Sequence, residues 1–402
     1  MFTIRNARFS FVFLGALFLL GSLNGQQQLT AQEETAQEET AQEGTAQEET
    51  ASQEKLASID DPRKLIQAAA KRLVEVQEDD AAWPYEGVYR VRREIPVGYR
   101  IGGSAIVCSA LLSADLKEDR EKADAAIRKS VDLILAELED PLMKPTKRSR
   151  YDVRIWGHIF ALDLFCRIKA SKNYDDVKEK TNPWIQKLVD AVLFQEVEGG
   201  GWNYASRRSH AAFVSATAIQ SLLLARDQGI EVPQEVLQRS IKVLKDSRSD
   251  NGGFQYSGKG SRKTLMPGSI ARSALCETTL IMLGDGDTKA LQNAIDKFHE
   301  HWDELEKRRK KTGTHEAPYG VAPYYFYFGH RYAAQAIQFL DKEQQASERE
   351  RFGLVLLKTK DEDNTWNDRV FDRSKAYGTA MAVLALSGER VLSPKPTVAS
   401  IK

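Results

Sequence analysis

The sequence predicts an all-α fold, an α/α toroid of six helix pairs with small apolar helices inside and charged helices outside. Three observations predict it. Two kinds of helical segment alternate along the chain, one amphipathic and charged, the other apolar almost all round and rich in Ala, Ser and Gly. The alternation recurs with a period of about 50 residues, the mark of a repeat architecture. The junctions carry a glycine–aromatic turn, clearest in "EGGGWNYASRRSH", which separates a charged helix from "AAFVSATAIQSLLLA". A helix that is apolar all round must be buried, whereas an amphipathic one keeps a polar face in water, so six such pairs close naturally into a ring. An open solenoid would need polar capping repeats, and none is visible.

In chain order, residues 1–25 have the layout of a secretory signal peptide: Arg5 and Arg8, an apolar run from Phe9 to about Leu23, then small and polar residues. Export, to a secreted or periplasmic location, is the expectation, with an uncleaved anchor as the alternative; no Cys follows the run to carry a lipid. Residues 26–60 repeat "TAQEE" with almost no apolar side chain to pack, and read as a solvated acidic tether. Residues 61–390 hold the six pairs, and residues 391–402 form a C-terminal tail. With 42% hydrophobic residues the chain can bury a large core. The formal net charge is zero, and the first 58 residues hold eight Glu against three basic residues. The small basic excess left in the rest is too dispersed for nucleic acid. No segment after the first apolar run is long enough to span a bilayer.

Four pairs are regular. "KLIQAAAKRLVEVQEDDAAWPYEG" precedes "GGSAIVCSALLSA"; "NPWIQKLVDAVLFQEVEGGGWNYA" precedes "AAFVSATAIQSLLLA"; "LQRSIKVLKDSRSDNGGFQYSG" precedes "SIARSALCETTLIML"; "RERFGLVLLKTKDEDNTWNDRV" precedes "AYGTAMAVLALSG". Two are degenerate: "REKADAAIRKSVDLILAELEDP" with "RIWGHIFALDLFCRI", and "LQNAIDKFHEHWDELEKR" with "PYGVAPYYFYFGHRYAAQAIQFL". Glycine permits the tight reversal because only Gly takes positive φ cheaply, and the aromatic after it can plug the gap between neighbouring pairs.

The outer-helix glutamine followed by a glycine–aromatic turn, as in Gln195 with Trp202 and Gln77 with Trp83, resembles the repeat of squalene cyclases and protein prenyltransferases. "DNGGF" ending at Phe254 and "EDNTW" ending at Trp366 resemble further copies. The resemblance implies an α/α toroid, a fold that also carries glycoside hydrolases, polysaccharide lyases and complement thioester domains. The catalytic signatures do not follow. The cyclase DxDD motif is absent, and "DEDN" from Asp361 to Asn364 falls in a turn, where carboxylates are solvated. A prenyltransferase zinc would need Asp, Cys and His together. Cys108, Cys166 and Cys276, with Asp163 near Cys166, lack clustered spacing and read as small buried hydrophobes, so neither a metal nor a cofactor is expected. The thioester CGEQ is absent too.

All six turn segments feed inner helices from one face, and together they predict a basin rich in Tyr, Arg, Trp and His. Its expected ligand-binding residues are Trp83, Tyr85, Arg100, Arg154, Trp202, Tyr204, Arg207, Tyr256, Tyr325, Arg331 and Arg373. Flat aromatic faces suit sugar rings, and fixed cations suit carboxylates or sulfates. Each such Arg or Tyr can equally knit adjacent pairs together. His158, His210 and His330 fall near the starts of inner helices, and with Tyr324 and Asp368 they are the weak catalytic candidates; a half-buried His bonded to a neighbour is the bland alternative. Asp152 and Asp372 are possible carboxylate partners, as Arg154, Arg369 and Arg373 are for the aspartates. The sequence therefore predicts a binding or scaffold toroid for an anionic or carbohydrate-like ligand. The alternatives are a polysaccharide lyase or glycoside hydrolase and, further off, a divergent terpenoid cyclase or prenyltransferase.

Overall fold

The computed structural model describes residues 62–146, 153–204, 208–258 and 264–396, all within one compact unit, Ile59–Lys402. The expected signal peptide and tether, Asp152, Arg207 and the end of the tail lie outside the described residues. Among the described residues there are thirteen α-helices and no β-strand. They are α1 (Pro62–Glu75), α2 (Val97–Ser113), α3 (Arg120–Leu138), α4 (Arg154–Ala170), α5 (Asp175–Phe194), α6 (Ala212–Asp227), α7 (Gln234–Ser247), α8 (Ile270–Met282), α9 (Thr288–Glu300), the short α10 (Trp302–Glu306), α11 (Tyr325–Ala336), α12 (Lys342–Lys358) and α13 (Lys375–Ser387).

Helices α2, α4, α6, α8, α11 and α13 form the inner ring. Each packs on the next, and α13 packs back on α2, so the ring is closed. Helices α1, α3, α5, α7, α9 and α12 form the outer ring. Burial follows the sequence pattern. In α7 the buried side chains are Val236, Leu237, Ser240, Val243, Leu244 and Ser247, a single stripe at helical spacing. In α6 every residue from Ala212 to Ala225 is buried. At the seam Arg373 makes a bidentate pair with Glu78, at 2.6 and 2.8 Å.

The turn has a repeated construction. Trp83, Trp202 and Trp366 are at most 1% exposed, and each indole N–H donates to a carbonyl ten residues back in its own outer helix: Leu73 (2.7 Å), Val192 (2.8 Å) and Leu356 (2.8 Å). Each backbone N–H donates in turn to a hydroxyl on the following inner helix: Ser104 (2.9 Å), Ser215 (2.9 Å) and Thr379 (3.0 Å). Phe254 repeats the second bond, to Ser269 at 2.6 Å. The aromatic is therefore a peg between outer and inner helix, which corrects the assignment of Trp83 and Trp202 to ligand binding: their rings are spent inside the wall. The Gly199, Gly200 and Gly201 run takes φ of +86°, +108° and +80°, and a Cβ on Gly201 would lie 2.8 Å from both His210 Cβ and Ser215 Oγ. Only glycine makes that reversal.

Candidate functional site

The turns deliver the chain to the N-terminal ends of the inner helices, and there the structure has a shallow aromatic pocket. Six tyrosines ring it: Tyr85, Tyr89, Tyr99, Tyr204, Tyr324 and Tyr377, with Trp156, Phe213 and Phe328 completing the wall. Phe213 is the hub, its ring centre 6.0 Å from Tyr204, 6.3 Å from Trp156 and 5.9 Å from Phe328. Tyr85 packs between Tyr99 (5.3 Å) and Tyr377 (4.4 Å). Offset and edge-on contacts of this kind hold the rings in fixed orientations.

Polar chemistry at the mouth is supplied by phenols. The Tyr204 and Tyr256 hydroxyls bond each other, and the Tyr324 hydroxyl lies 3.1 Å from His315 Nε2. Tyr325 stacks on Tyr324 at 4.4 Å. Burial pushes the Tyr85, Tyr256, Tyr324 and Tyr325 phenols above their ordinary value, so at neutral pH they are uncharged donors. Burial lowers His315, with Arg272 and Arg369 adding to the effect, so it is a neutral imidazole beside Tyr324.

Three of the arginines expected in the basin are engaged elsewhere, and a fourth lies outside it. Arg100 bridges Asp80 (2.8 Å) and Glu137 (2.6 Å); Arg154 donates to the Lys144 carbonyl; Arg373 is the seam pair. Arg331 lies two helical turns beyond Tyr324, in the C-terminal half of α11, and opens onto the opposite end of the ring. For Arg100, Arg154 and Arg373 the correction has one physical cause: a charge brought to a protein wall takes a partner there or reaches the surface; Arg331 is corrected by its depth along α11 alone. Arg369, buried behind the mouth, steadies it by donating to the Tyr85 hydroxyl (3.2 Å) and the Gly313 carbonyl (2.7 Å).

The three histidines are likewise built in. His330 is fully buried. Its Nε2 accepts from the Trp302 indole at 2.8 Å, which leaves Nδ1 protonated and donating to the Phe326 carbonyl at 2.7 Å. Burial lowers its pKa to about 4, so it stays neutral. His158 Nδ1 accepts from Gln195 Nε2 at 2.7 Å, tying α4 to the end of α5. His210 Nε2 lies 2.9 Å from Ser247 Oγ. None of the three lines the mouth. Cys108, Cys166 and Cys276 are free and buried, and burial pushes the Cys108 thiol up to about 12. Among the described residues no group of three His, Cys, Asp or Glu is arranged to hold a metal ion.

Asp368 is the exception among the candidates. It is fully buried, neither carboxyl oxygen has a hydrogen-bond partner among the described residues, and burial raises its pKa to about 7 against the opposing pull of Arg369. Its charge acts on Tyr85 and Tyr377, the tyrosines on its side of the mouth. A group poised near neutrality behind a pocket has the protonation chemistry of a general acid or base. No second carboxylate lines this mouth.

Five of the lining residues that the sequence reading missed share one signal. Tyr99, Trp156, Phe213, Phe328 and Tyr377 are each the second to fourth residue of an inner helix. An aromatic in the first turn of five inner helices, read as a set, marks the mouth; read singly, each is a core residue.

No family model matches the chain, and no curated protein matches it in sequence. Solved structures share its fold. An inactive variant of the α-1,6-mannanase GH76A of Salegentibacter sp. HEL1_6, in complex with α-1,6-mannotetrose, matches with a TM-score of 0.54 at 13% identity, over 81% of this chain and 99% of that one. The GH76A mannanase itself matches with a TM-score of 0.52 at 15% identity, over the same shares. The type II terpene cyclase MstE from Scytonema matches with a TM-score of 0.47 at 13% identity, over 81% of this chain and 97% of that one. The fold is an α/α toroid.

Proposed function

We propose that this chain is a carbohydrate-binding toroid that seats a neutral oligosaccharide on the tyrosine-ringed mouth. The observation that carries the reading is the lining itself: six phenols around fixed aromatic faces, with the neighbouring guanidinium groups already paired. Aromatic faces stack on the C–H faces of sugar rings while phenol hydroxyls exchange hydrogen bonds with sugar hydroxyls. An anionic glycan would find no free cation among the described residues of this wall. Mannanase structures of the same fold hold α-1,6-manno-oligosaccharides, which supports the ligand class. The signal-peptide layout fits action outside the cytoplasm.

Glycoside hydrolysis is the second reading, favoured by Asp368. Such enzymes ordinarily use two carboxylates about the scissile bond, and this mouth offers one, behind the wall. Binding therefore accounts for more of the geometry.

The test is calorimetric titration with α-1,6-manno-oligosaccharides, other neutral oligosaccharides and an anionic glycan, on wild type and Tyr204→Ala. A neutral oligosaccharide should bind, and the variant should bind at least about ten-fold more weakly, the loss expected for one stacking and hydrogen-bonding ring. No neutral ligand, or equal binding by the variant, overturns the reading. Release of reducing ends that is abolished in Asp368→Asn replaces it with the hydrolase.

A further inference from the structure

The bore of the ring has a second end. Five of the inner helices, α2, α4, α6, α11 and α13, line a narrow polar cavity toward their C-terminal ends. The stacked rings of Trp156, Phe160, Phe328 and Tyr332 lie between it and the tyrosine mouth. Residues following α13 cross over it: Arg167 Nη1 donates to the Leu392 carbonyl (2.8 Å), Gln335 Nε2 to Ser393 Oγ (3.3 Å), and the Lys395 amide to Asp227 Oδ2 (2.8 Å). Pro394 lines the cavity.

Inside it, Arg331 is 5% exposed. Among the described residues its guanidinium makes no ion pair or hydrogen bond; it lies over the face of Tyr332 at 5.2 Å and feels the Asp163 carboxylate only through space. The carboxylate that lines the same cavity, Asp163, is taken by Arg167 in a bidentate pair at 2.6 and 2.9 Å. Burial and the nearby Arg167 lower the Arg331 pKa to about 10, so it is still a cation at neutral pH. One helical turn on, Gln335 also faces the cavity, and its Oε1 is buried without a donor. Among the described residues the other candidate arginines, Arg100, Arg154 and Arg373, each have a partner; an enclosed guanidinium without one is costly unless something fills the place.

We propose that this cavity is a second binding site, for a small hydroxycarboxylate whose carboxylate pairs with Arg331 and whose hydroxyl donates to Gln335 Oε1. The charges lining it, Arg331 and Arg167 against Asp163, leave one positive charge and so match a monoanion. A planar fork suits a carboxylate in two parallel hydrogen bonds. Water would satisfy Gln335 and leave the charge of Arg331 uncompensated. Ile106, Ile159 and Leu384 on the remaining walls suit a short carbon skeleton. The site is separate from the mouth and does not depend on what binds there.

The test is thermal melting and calorimetric titration of the full chain with sodium glycolate and lactate, against acetate, sulfate and chloride at equal ionic strength. Glycolate or lactate should raise Tm progressively, with the logarithm of its concentration once above Kd, and bind at least ten-fold more tightly than acetate. Arg331→Met should abolish the response while melting no lower than wild type without ligand, since it removes an unpaired buried cation. Gln335→Leu should keep binding and lose the preference over acetate. Tyr204→Ala, at the far mouth, should respond as wild type does. No response beyond chloride, an equal response in Arg331→Met, or an Arg331→Met variant that melts lower in the absence of ligand would each overturn the site. An equal response to sulfate would overturn the hydroxycarboxylate as its ligand.

Discussion

The two ends of one bore are built from the same six helices and have opposite chemistry. At the N-terminal ends the wall is aromatic and uncharged, because the arginines brought in by the turns reach outward to Asp80, Glu137 and Glu78. At the C-terminal ends the wall is polar and carries Arg331, which has nowhere to reach. In this toroid, depth along the inner helix decides what a side chain does more than residue type. An arginine on a turn finds a surface carboxylate; one two turns down is enclosed.

The hardest way to break the comparison is to remove a peg that both ends depend on. Trp202→Ala deletes a fully buried indole and its bond to Val192, and should cost about 4 kcal/mol in chemical denaturation, with cavity formation as the main cause. Tyr204→Ala, two residues on and at the mouth, should cost far less stability and act on ligand binding. If the two variants destabilise equally, the mouth is core and not a site.

Asp368 gives the next largest effect, and its sign is set by its direction of shift. The folded carboxyl titrates at about 7, whereas an unfolded Asp titrates at about 4. Between those values the folded state holds a proton that the unfolded state has lost, so this group's contribution falls as pH rises from about 4 to 7 and is flat above. Asp368→Asn removes the penalty. It should be more stable than wild type by up to about 4 kcal/mol at pH 8, with the gap narrowing as pH falls and closing below about pH 4, in urea titrations across that range. A variant less stable at pH 8 would mean that the carboxylate is held by something and belongs to a working site.

The smallest effect belongs to the seam. Arg373→Ala removes the pair with Glu78, whose side chains are 44% and 29% exposed. Water and salt screen such pairs, so the loss should be about 0.5 kcal/mol and shrink in 1 M salt. A larger cost would make the seam a weak point that side-chain pairing, and not helix packing, holds shut.

The ring was legible in the sequence because periodicity and all-round apolarity report burial directly, as in α6 and α7. The turn aromatics were legible as plugs, yet Trp83 and Trp202 also look like stacking platforms, and only the bonds to Leu73 and Val192 decide between the two roles. Tyr85 and Tyr204 reached the mouth as expected, and Tyr256 and Tyr325 stand directly behind it. Arg100, Arg154 and Arg373 did not, because partner choice depends on carboxylates and carbonyls far away in the chain, Glu78 being 295 residues from Arg373. Arg331 sits in the same inner helix as the mouth residue Phe328, and a linear reading assigned Arg331 to the basin and passed over Phe328.

Closure of α13 onto α2 has a consequence for how the molecule comes apart. An open array frays from its terminal repeats, since these have one neighbour each. Here every pair has two, and none is an end. Loss of any one pair strips an interface from both flanking pairs at once, so melting proceeds as a single event, and a deletion of one repeat cannot be healed by the rest sliding along.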